Sequence, residues 1–211
     1  MLARFSVALA AMVAVVAASN FLVQFPVDIQ MGPIHLGDIL TWGAFTYPVA
    51  FLITDLTNRT FGPARARVVV MAGFAVAVLI SIYLATPRIA IASGTAFLTA
   101  QFLDISIFDR LRTSVWWKAP VVSSLIGSAI DTVIFFSLAF AAPFAVLDSL
   151  FGREDGSLAF PAPLLGVGPE VELWVSLGLG DFLVKLLLAA LLLVPYKSIR
   201  DWLAGREAVA A

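Results

Sequence analysis

Twenty residues separate Arg67 from Arg88, and none of them is charged. A helix on a soluble core alternates an apolar stripe with a polar face. A uniformly apolar run of about 20 residues instead matches the hydrocarbon thickness of a bilayer. The pattern recurs along the chain, for Phe5 to Val27 is also free of charge. Composition agrees: 61% of residues are hydrophobic and only 13% charged, against about 25% charged in a soluble domain. The mean hydropathy is +1.00. This is an integral membrane protein.

Six apolar segments are expected, over residues 5–25, 37–56, 68–84, 89–108, 121–142 and 173–195. They form one all-α domain over residues 1–211, a compact six-transmembrane-helix bundle. The first segment also fits a cleaved signal peptide, with Arg4, an apolar run and Ala17-Ala18-Ser19. Its continuation to Phe25 favours retention. The second segment contains Gly43 and Pro48, so a kinked helix is expected there. The third faces lipid, and Pro143 to Glu172 forms a long acidic loop.

Assigning loops to alternate sides puts Arg4, Arg59, Arg65, Arg67, Arg110, Arg112, Lys118, Lys197, Arg200 and Arg206 on one face. Arg88 and Arg153 fall on the other. The bias predicts cytoplasmic N- and C-termini in a multi-pass membrane protein. Without cysteine there is no thiolate site, and the single His35 lies in a Gly/Pro-flanked loop. No metal, cofactor or nucleic-acid partner is expected. Neither metal-ligand spacing nor a serine–histidine arrangement points to an enzyme.

Charged and amide side chains inside spans face a bundle interior and mark function. Thr41, Phe45, Pro48, Leu52 and Asp55 recur in steps of three and four, which places them on one helical face. Gly94, Phe97, Gln101, Asp104 and Phe108 do the same on segment four. Segment five offers Ser124, Ser128, Asp131 and Phe135, and segment six places Asp181 one turn before Lys185. The expected cavity is lined by these four segments, with Asn20 and Gln24 contributed by the first. At about 1.5 Å per residue, Asp131 lies roughly 15 Å from either end of its span. With no partner on its own helix, it is the first choice for a functional carboxylate. Asp181 and Lys185 either neutralise each other or act in the site. Asp55 and Asp104, nearer the basic ends, either pair with Arg59 or Arg110 or form a gate.

Several stretches carry a family resemblance. SNFLVQFPV (19–27), TWGAFTYPVAFLITDLT (41–57), RTFGPARAR (59–67), IASGTAFLTAQFLD (91–104), FDRLR (108–112) and SSLIGSAIDTVIFFSLAF (123–140) resemble bacterial queuosine precursor transporters of the vitamin-uptake-transporter type. The Asp181–Lys185 pair fits as well, and the departures lie in the loops 28–38 and 143–172. The resemblance implies import of a 7-deazaguanine for queuosine salvage. It also implies a fold like the substrate-binding subunits of energy-coupling-factor vitamin transporters. Trp42, Phe45, Phe97 or Phe135 could then stack on the flat cargo. A carboxylate, Asp131 first and Asp104 or Asp55 otherwise, would accept its paired N–H groups, and Gln101 would satisfy its carbonyl. Two mechanisms stay open: a stand-alone secondary transporter, or a binding subunit for a separate ATP-driven module that docks on the Ala10, Ala14, Ala18 ridge.

Overall fold

The computed structural model describes residues 2–210, with side chains to residue 205. The Arg206 charge counted above therefore lies outside the described side chains. The chain starts with α1 (Leu2–Leu22) and a small hairpin of β1 (Gln30–Met31) and β2 (Ile34–His35). Next come α2 (Gly43–Thr46), α3 (Pro48–Phe61), α4 (Pro63–Leu84), α5 (Pro87–Leu111) and α6 (Lys118–Phe140). A short α7 (Val146–Leu150) and a second hairpin, β3 (Pro161–Pro163) with β4 (Glu170–Glu172), lead into α8 (Leu173–Leu191) and α9 (Leu193–Ala210).

Among the described residues, five helical stretches are long and apolar enough to cross a membrane: α1, α4, α5, α6 and the run Leu173–Gly205 through α8 and α9. The protein is an all-α, multi-span membrane bundle. The second expected segment, 37–56, differs. Its first residues form a 3-10 turn over Leu36–Asp38, and helix begins only at Gly43. That helix breaks at Tyr47 and runs on to Phe61. The break follows from Pro48, which has no N–H to donate but suits the first position of a new helix. Gly62, at φ 84°, ends α3, and Pro63 starts α4 at once. The last segment also breaks, at Leu192, with Pro195 accommodated in the first turn of α9.

Two glycines set the closest helix contacts. A Cβ on Gly127 of α6 would sit 2.9 Å from Phe51 and 3.5 Å from the Ala100 carbonyl, so α6 lies tight against α3 and α5. A Cβ on Gly73 of α4 would meet Met12 of α1 at 2.8 Å. Met12, Val16, Val69, Val70 and Phe97 fill the core that α1, α4 and α5 share. Further along α4, Val78, Leu79 and Ile82 are exposed, in agreement with a lipid-facing third segment. α3, α5, α6 and α8 enclose a polar centre.

The loops 23–42 and 143–172 close one end of the bundle. A bridge between Pro26 and Thr41 draws the first loop together. The tip of the second carries Leu165 in a left-handed conformation (φ 53°), with its N–H donated to Ser176 Oγ at 2.8 Å. There Leu165 packs over Gly180, next to Asp181.

Arg88 is 1% exposed in the first turn of α5, not at the solvent surface where a loop arginine would sit. Its Nε and Nη2 donate to the carbonyls of Leu138 and Ala141, at 2.8 and 2.7 Å. Its Nη1 donates to Asp148 at 2.7 Å and to Ser157 at 3.1 Å. One guanidinium thus caps α6 and pins α7 to it, which requires the planar fork of arginine. Arg88→Lys keeps the charge but loses two or more of these bonds. We expect it to lower stability by about 1–3 kcal/mol, read as a fall in the thermal unfolding midpoint in detergent; an unchanged midpoint would refute the capping role.

His35 lies between two carboxylates. Its Nε2 is 2.9 Å from Asp28 and its Nδ1 3.3 Å from Asp38. The hydrogen bond to Asp28 first, and that to Asp38 second, hold its pKa above the ordinary 6.5. A raised folded-state value stabilises the fold fully below pH 6.5, and this contribution fades as pH rises through the higher value. Asp28→Asn is expected to move the imidazole midpoint in an NMR titration down toward 6.5. No movement would mean that Asp28 does not bond the ring.

Candidate functional site

The polar centre has two layers, and the lysine of α8 organises the first. Lys185 Nζ donates to Asp131 Oδ2 at 2.7 Å across the α6–α8 interface. It also pairs with Asp181, one turn back on its own helix, at 2.5 Å. Thr132 Oγ1 accepts from Lys185 at 3.1 Å and donates to Asp181 at 3.0 Å. Tyr47, at the break between α2 and α3, donates its hydroxyl to Asp131 Oδ1 at 3.2 Å and places its ring 5.6 Å from the ammonium. Two carboxyl groups thus share one ammonium. Lys185 and Asp131 are buried, while the Asp181 side chain is 14% exposed.

The second layer lies between α3, α5 and α6. Thr54 donates to Gln101 Oε1 at 2.7 Å, and both residues are fully buried. This bond orients the amide, leaving Gln101 Nε2 buried without a partner. One turn further along α5, Asp104 is 0% exposed, and neither of its oxygens accepts a hydrogen bond. Asp55 is buried in the same layer, and Ser123 donates to its Oδ1 at 3.4 Å. Asn58 donates to the Ile105 carbonyl at 3.0 Å. Buried polar atoms without partners are few in folded proteins. Here a donor and two acceptors of that kind stand one turn apart on a single helix.

The ion pairs expected from Asp55 or Asp104 to Arg59 or Arg110 do not form. Arg59 stands one turn beyond Asp55 on α3 and acts on it through space, but its hydrogen bonds go elsewhere. Arg59 donates instead to the Tyr196 hydroxyl at 3.1 Å and to the Arg112 carbonyl, and lies over the Phe108 ring. Asp131 is not the unpaired carboxylate that its own helix suggests, because Lys185 reaches it from α8.

A cavity of about 20 Å³ joins the two layers, bounded by Asp55, Ser124, Ser128, Lys185 and Tyr196 among others. That is room for about one water, so cargo of any size requires the helices to part. Of the aromatic residues named from sequence, Phe97 is buried beside Tyr47, with ring centroids 6.0 Å apart. Phe45 joins an apolar cluster with Val27, Leu40 and Val184. Trp42 is 43% exposed, and Phe135 packs on Phe136 and Phe140. Asn20 donates to the Val16 carbonyl of its own helix at 2.9 Å. These last three do not reach the polar centre. Tyr47, Thr54, Ser123 and Thr132 do, and sequence reasoning missed them. Thr54 and Thr132 sit directly beside Asp55 and Asp131 in the chain, which was the available signal.

A multi-span bundle with a buried, incompletely satisfied polar centre is built as a membrane transporter for a polar solute. Residues 41–86 and 81–199 match the model of a family described as putative vitamin uptake transporter. The chain is 35% identical over 208 residues to a probable queuosine precursor transporter of Haemophilus influenzae, across 86% of this chain and 79% of that one. It is 34% identical over 202 residues to the queuosine precursor transporter of Escherichia coli, with the same coverage. A probable queuosine precursor transporter of Bacillus subtilis is 23% identical over 184 residues, covering 74% of this chain and 69% of its own. No solved structure matches. The chain belongs to the putative vitamin uptake transporter family.

Proposed function

We propose that this protein imports a queuosine precursor, a 7-deazaguanine such as 7-cyano- or 7-aminomethyl-7-deazaguanine, as a stand-alone secondary transporter of the bacterial inner membrane. The observation that carries this reading is the partnerless set on α5: Asp104 with two free acceptor oxygens, and Gln101 with a free amide donor. The ring N–H and exocyclic amine of a deazaguanine donate in parallel, which suits one carboxylate, and the adjacent ring carbonyl accepts from an amide. Thr54 holds Gln101 with its N–H outward for that contact. Phe51 and Phe97, both buried near these groups, supply apolar faces for the flat ring. Asp131 passes from cargo ligand to anchor of Lys185, since both of its oxygens are engaged.

On this reading α2 and α3 together make the sixth crossing, in a fold like that of energy-coupling-factor substrate-binding subunits. Both termini then lie on the cytoplasmic side with the basic loops, and the cargo passes through chemically unchanged. The second reading, a binding subunit of an ATP-driven importer, draws on one feature. Ala10, Ala14 and Ala18 form an exposed small-residue face on α1, across which another helix could approach closely.

The test is uptake of labelled 7-cyano-7-deazaguanine into vesicles containing this protein alone. Saturable uptake that unlabelled deazaguanine competes away is expected. Uptake only after nucleotide-binding subunits and ATP are added would establish the second reading. No uptake or binding under either condition would refute the cargo assignment.

A further inference from the structure

We infer that the Asp131–Lys185–Asp181 cluster is the subsite for the cargo's 7-substituent, and that it selects the cationic 7-aminomethyl form over the neutral 7-cyano form. This rests on the cargo reading above, in which Asp104 accepts from the ring N–H and the exocyclic amine, and Gln101 donates to the carbonyl. That reading fixes which way the ring points. Along the edge of a 7-deazaguanine the groups run in the order exocyclic amine, ring N–H, carbonyl, 7-substituent. The substituent therefore lies beyond Gln101, on the side away from Asp104.

The helices place the cluster there. One turn beyond Gln101 in that direction stands Phe97, whose ring lies 6.0 Å from that of Tyr47, and Tyr47 in turn donates to Asp131. On α6 the course is the same: a Cβ on Gly127 would sit 3.5 Å from that of Asp104, and Asp131 follows one turn later. About 10 Å of helix separates Asp104 from Phe97, the length of a bicyclic ring with a hydrogen bond of about 2.8 Å at each end. The small cavity touches both Asp55 and Lys185, so the two layers border one space.

Donors and acceptors decide what the cluster can still bind. An ammonium has three N–H groups, and those of Lys185 go to Asp131, Asp181 and Thr132. The Tyr47 hydroxyl donates to Asp131, and the Thr132 hydroxyl to Asp181. Every donor of the cluster is thus spent. Among the acceptors, Asp131 has both oxygens engaged, but the contacts of Asp181 with Thr132 and Lys185 fall on Oδ2 alone. Its Oδ1 accepts from none of the described residues, and the side chain is 14% exposed, so that oxygen is open to water while no cargo is bound.

A nitrile accepts hydrogen bonds and has no hydrogen to donate. At this place it meets no free donor, and closing the site over it cuts Asp181 Oδ1 off from water with nothing in return. An aminomethyl group is an ammonium at neutral pH, and one of its N–H groups is given to that oxygen. Two carboxyl groups then face two ammoniums, so that buried charges of both signs are paired.

The experiment measures displacement of labelled 7-aminomethyl-7-deazaguanine from the full chain in lipid nanodiscs, where the energy source for transport plays no part. The competitors are the unlabelled aminomethyl form, the cyano form, and the 7-hydroxymethyl form, which has the aminomethyl length without its charge. For the wild type, the aminomethyl form is expected to bind at least tenfold more tightly than either neutral form. Asp181→Asn, which keeps the shape and removes the charge, is expected to bring the three within threefold of one another. The ratio is taken within each variant and does not depend on how much of the protein folds. If Asp181→Asn yields no folded protein, Asp181→Ser is read in the same way. Wild-type affinities within threefold, a hydroxymethyl form that matches the aminomethyl form, or Asp181→Asn protein that keeps the wild-type ratio would each overturn the inference, while displaceable binding leaves the cargo reading standing. No displaceable binding of any form refutes the cargo reading, and the subsite with it.

Discussion

Asp104→Asn is expected to lower deazaguanine uptake by about 10²–10⁴-fold. The figure follows from two charge-assisted hydrogen bonds at about 1.5–3 kcal/mol each, with about 1.4 kcal/mol per factor of ten. The asparagine amide also turns a donor toward the cargo's own donors, so the lost bonds are not replaced. Stability should move the other way. The native carboxyl group is fully buried and neither of its oxygens has a hydrogen-bond partner in the protein, so the substitution removes a buried group that nothing in the protein satisfies. The informative pairing is therefore lost uptake with an unfolding midpoint at or above that of the wild type. Gln101→Ala deletes one neutral bond to the cargo and is expected to cost about 3–10-fold. If Asp104→Asn protein, present at normal amounts in the membrane, transports within threefold of wild type, the cargo carboxylate lies elsewhere.

Lys185→Met is expected to have the largest effect on stability. Its ammonium is the shared partner of Asp131 at 2.7 Å and Asp181 at 2.5 Å. Removing one member of a buried ion pair typically costs about 3–5 kcal/mol, because the remaining charge has neither water nor partner. Here two carboxylates are stranded, with only Tyr47 and Thr132 left to donate to them. Adding Asp131→Asn and Asp181→Asn to Lys185→Met should restore most of the loss, since a fully neutral cluster has no uncompensated charge. Thermal unfolding in detergent of the single, double and triple variants measures this. An unfolding midpoint of Lys185→Met equal to the wild type, or a triple variant no better than the single, would show that the network does not hold α6 to α8. Because Asp131 has both oxygens engaged within the protein, Asp131→Asn should likewise register in stability.

Much of the architecture was legible from the chain. Charge-free runs such as 68–87 admit a bilayer and little else, and Gly62-Pro63 marks a helix stop followed by a start. Pro48 announced a break. The Asp181–Lys185 pair and the Gln101–Asp104 face were also legible, because both depend only on the local period of one helix. The proposed sixth crossing was harder to read. Its polar residues, Thr54, Asp55, Thr57 and Asn58, point inward and depress the hydropathy by which a span is recognised.

The aromatic residues show where such reading ends. Phe97 and Phe135 follow the same helical arithmetic, yet Phe97 lies against Tyr47 and Phe135 in a cluster at the far end of α6. Periodicity puts a residue on a face but does not say which neighbour that face meets.

By itself, then, the sequence determined a multi-span helical membrane protein with carboxylates, an amide and a lysine inside its spans, for burying charge in hydrocarbon is costly enough to mark those residues. Only the tertiary structure decided their partners. Lys185 reaches Asp131 across 54 positions of chain, and Arg88 reaches Asp148 across 60. Asp104 is left buried with no donor in the protein. Such pairings depend on how each helix is rotated and how deeply it is set against its neighbours. That is fixed by packing at contacts such as Gly127 on Phe51, which no single helix's periodicity encodes.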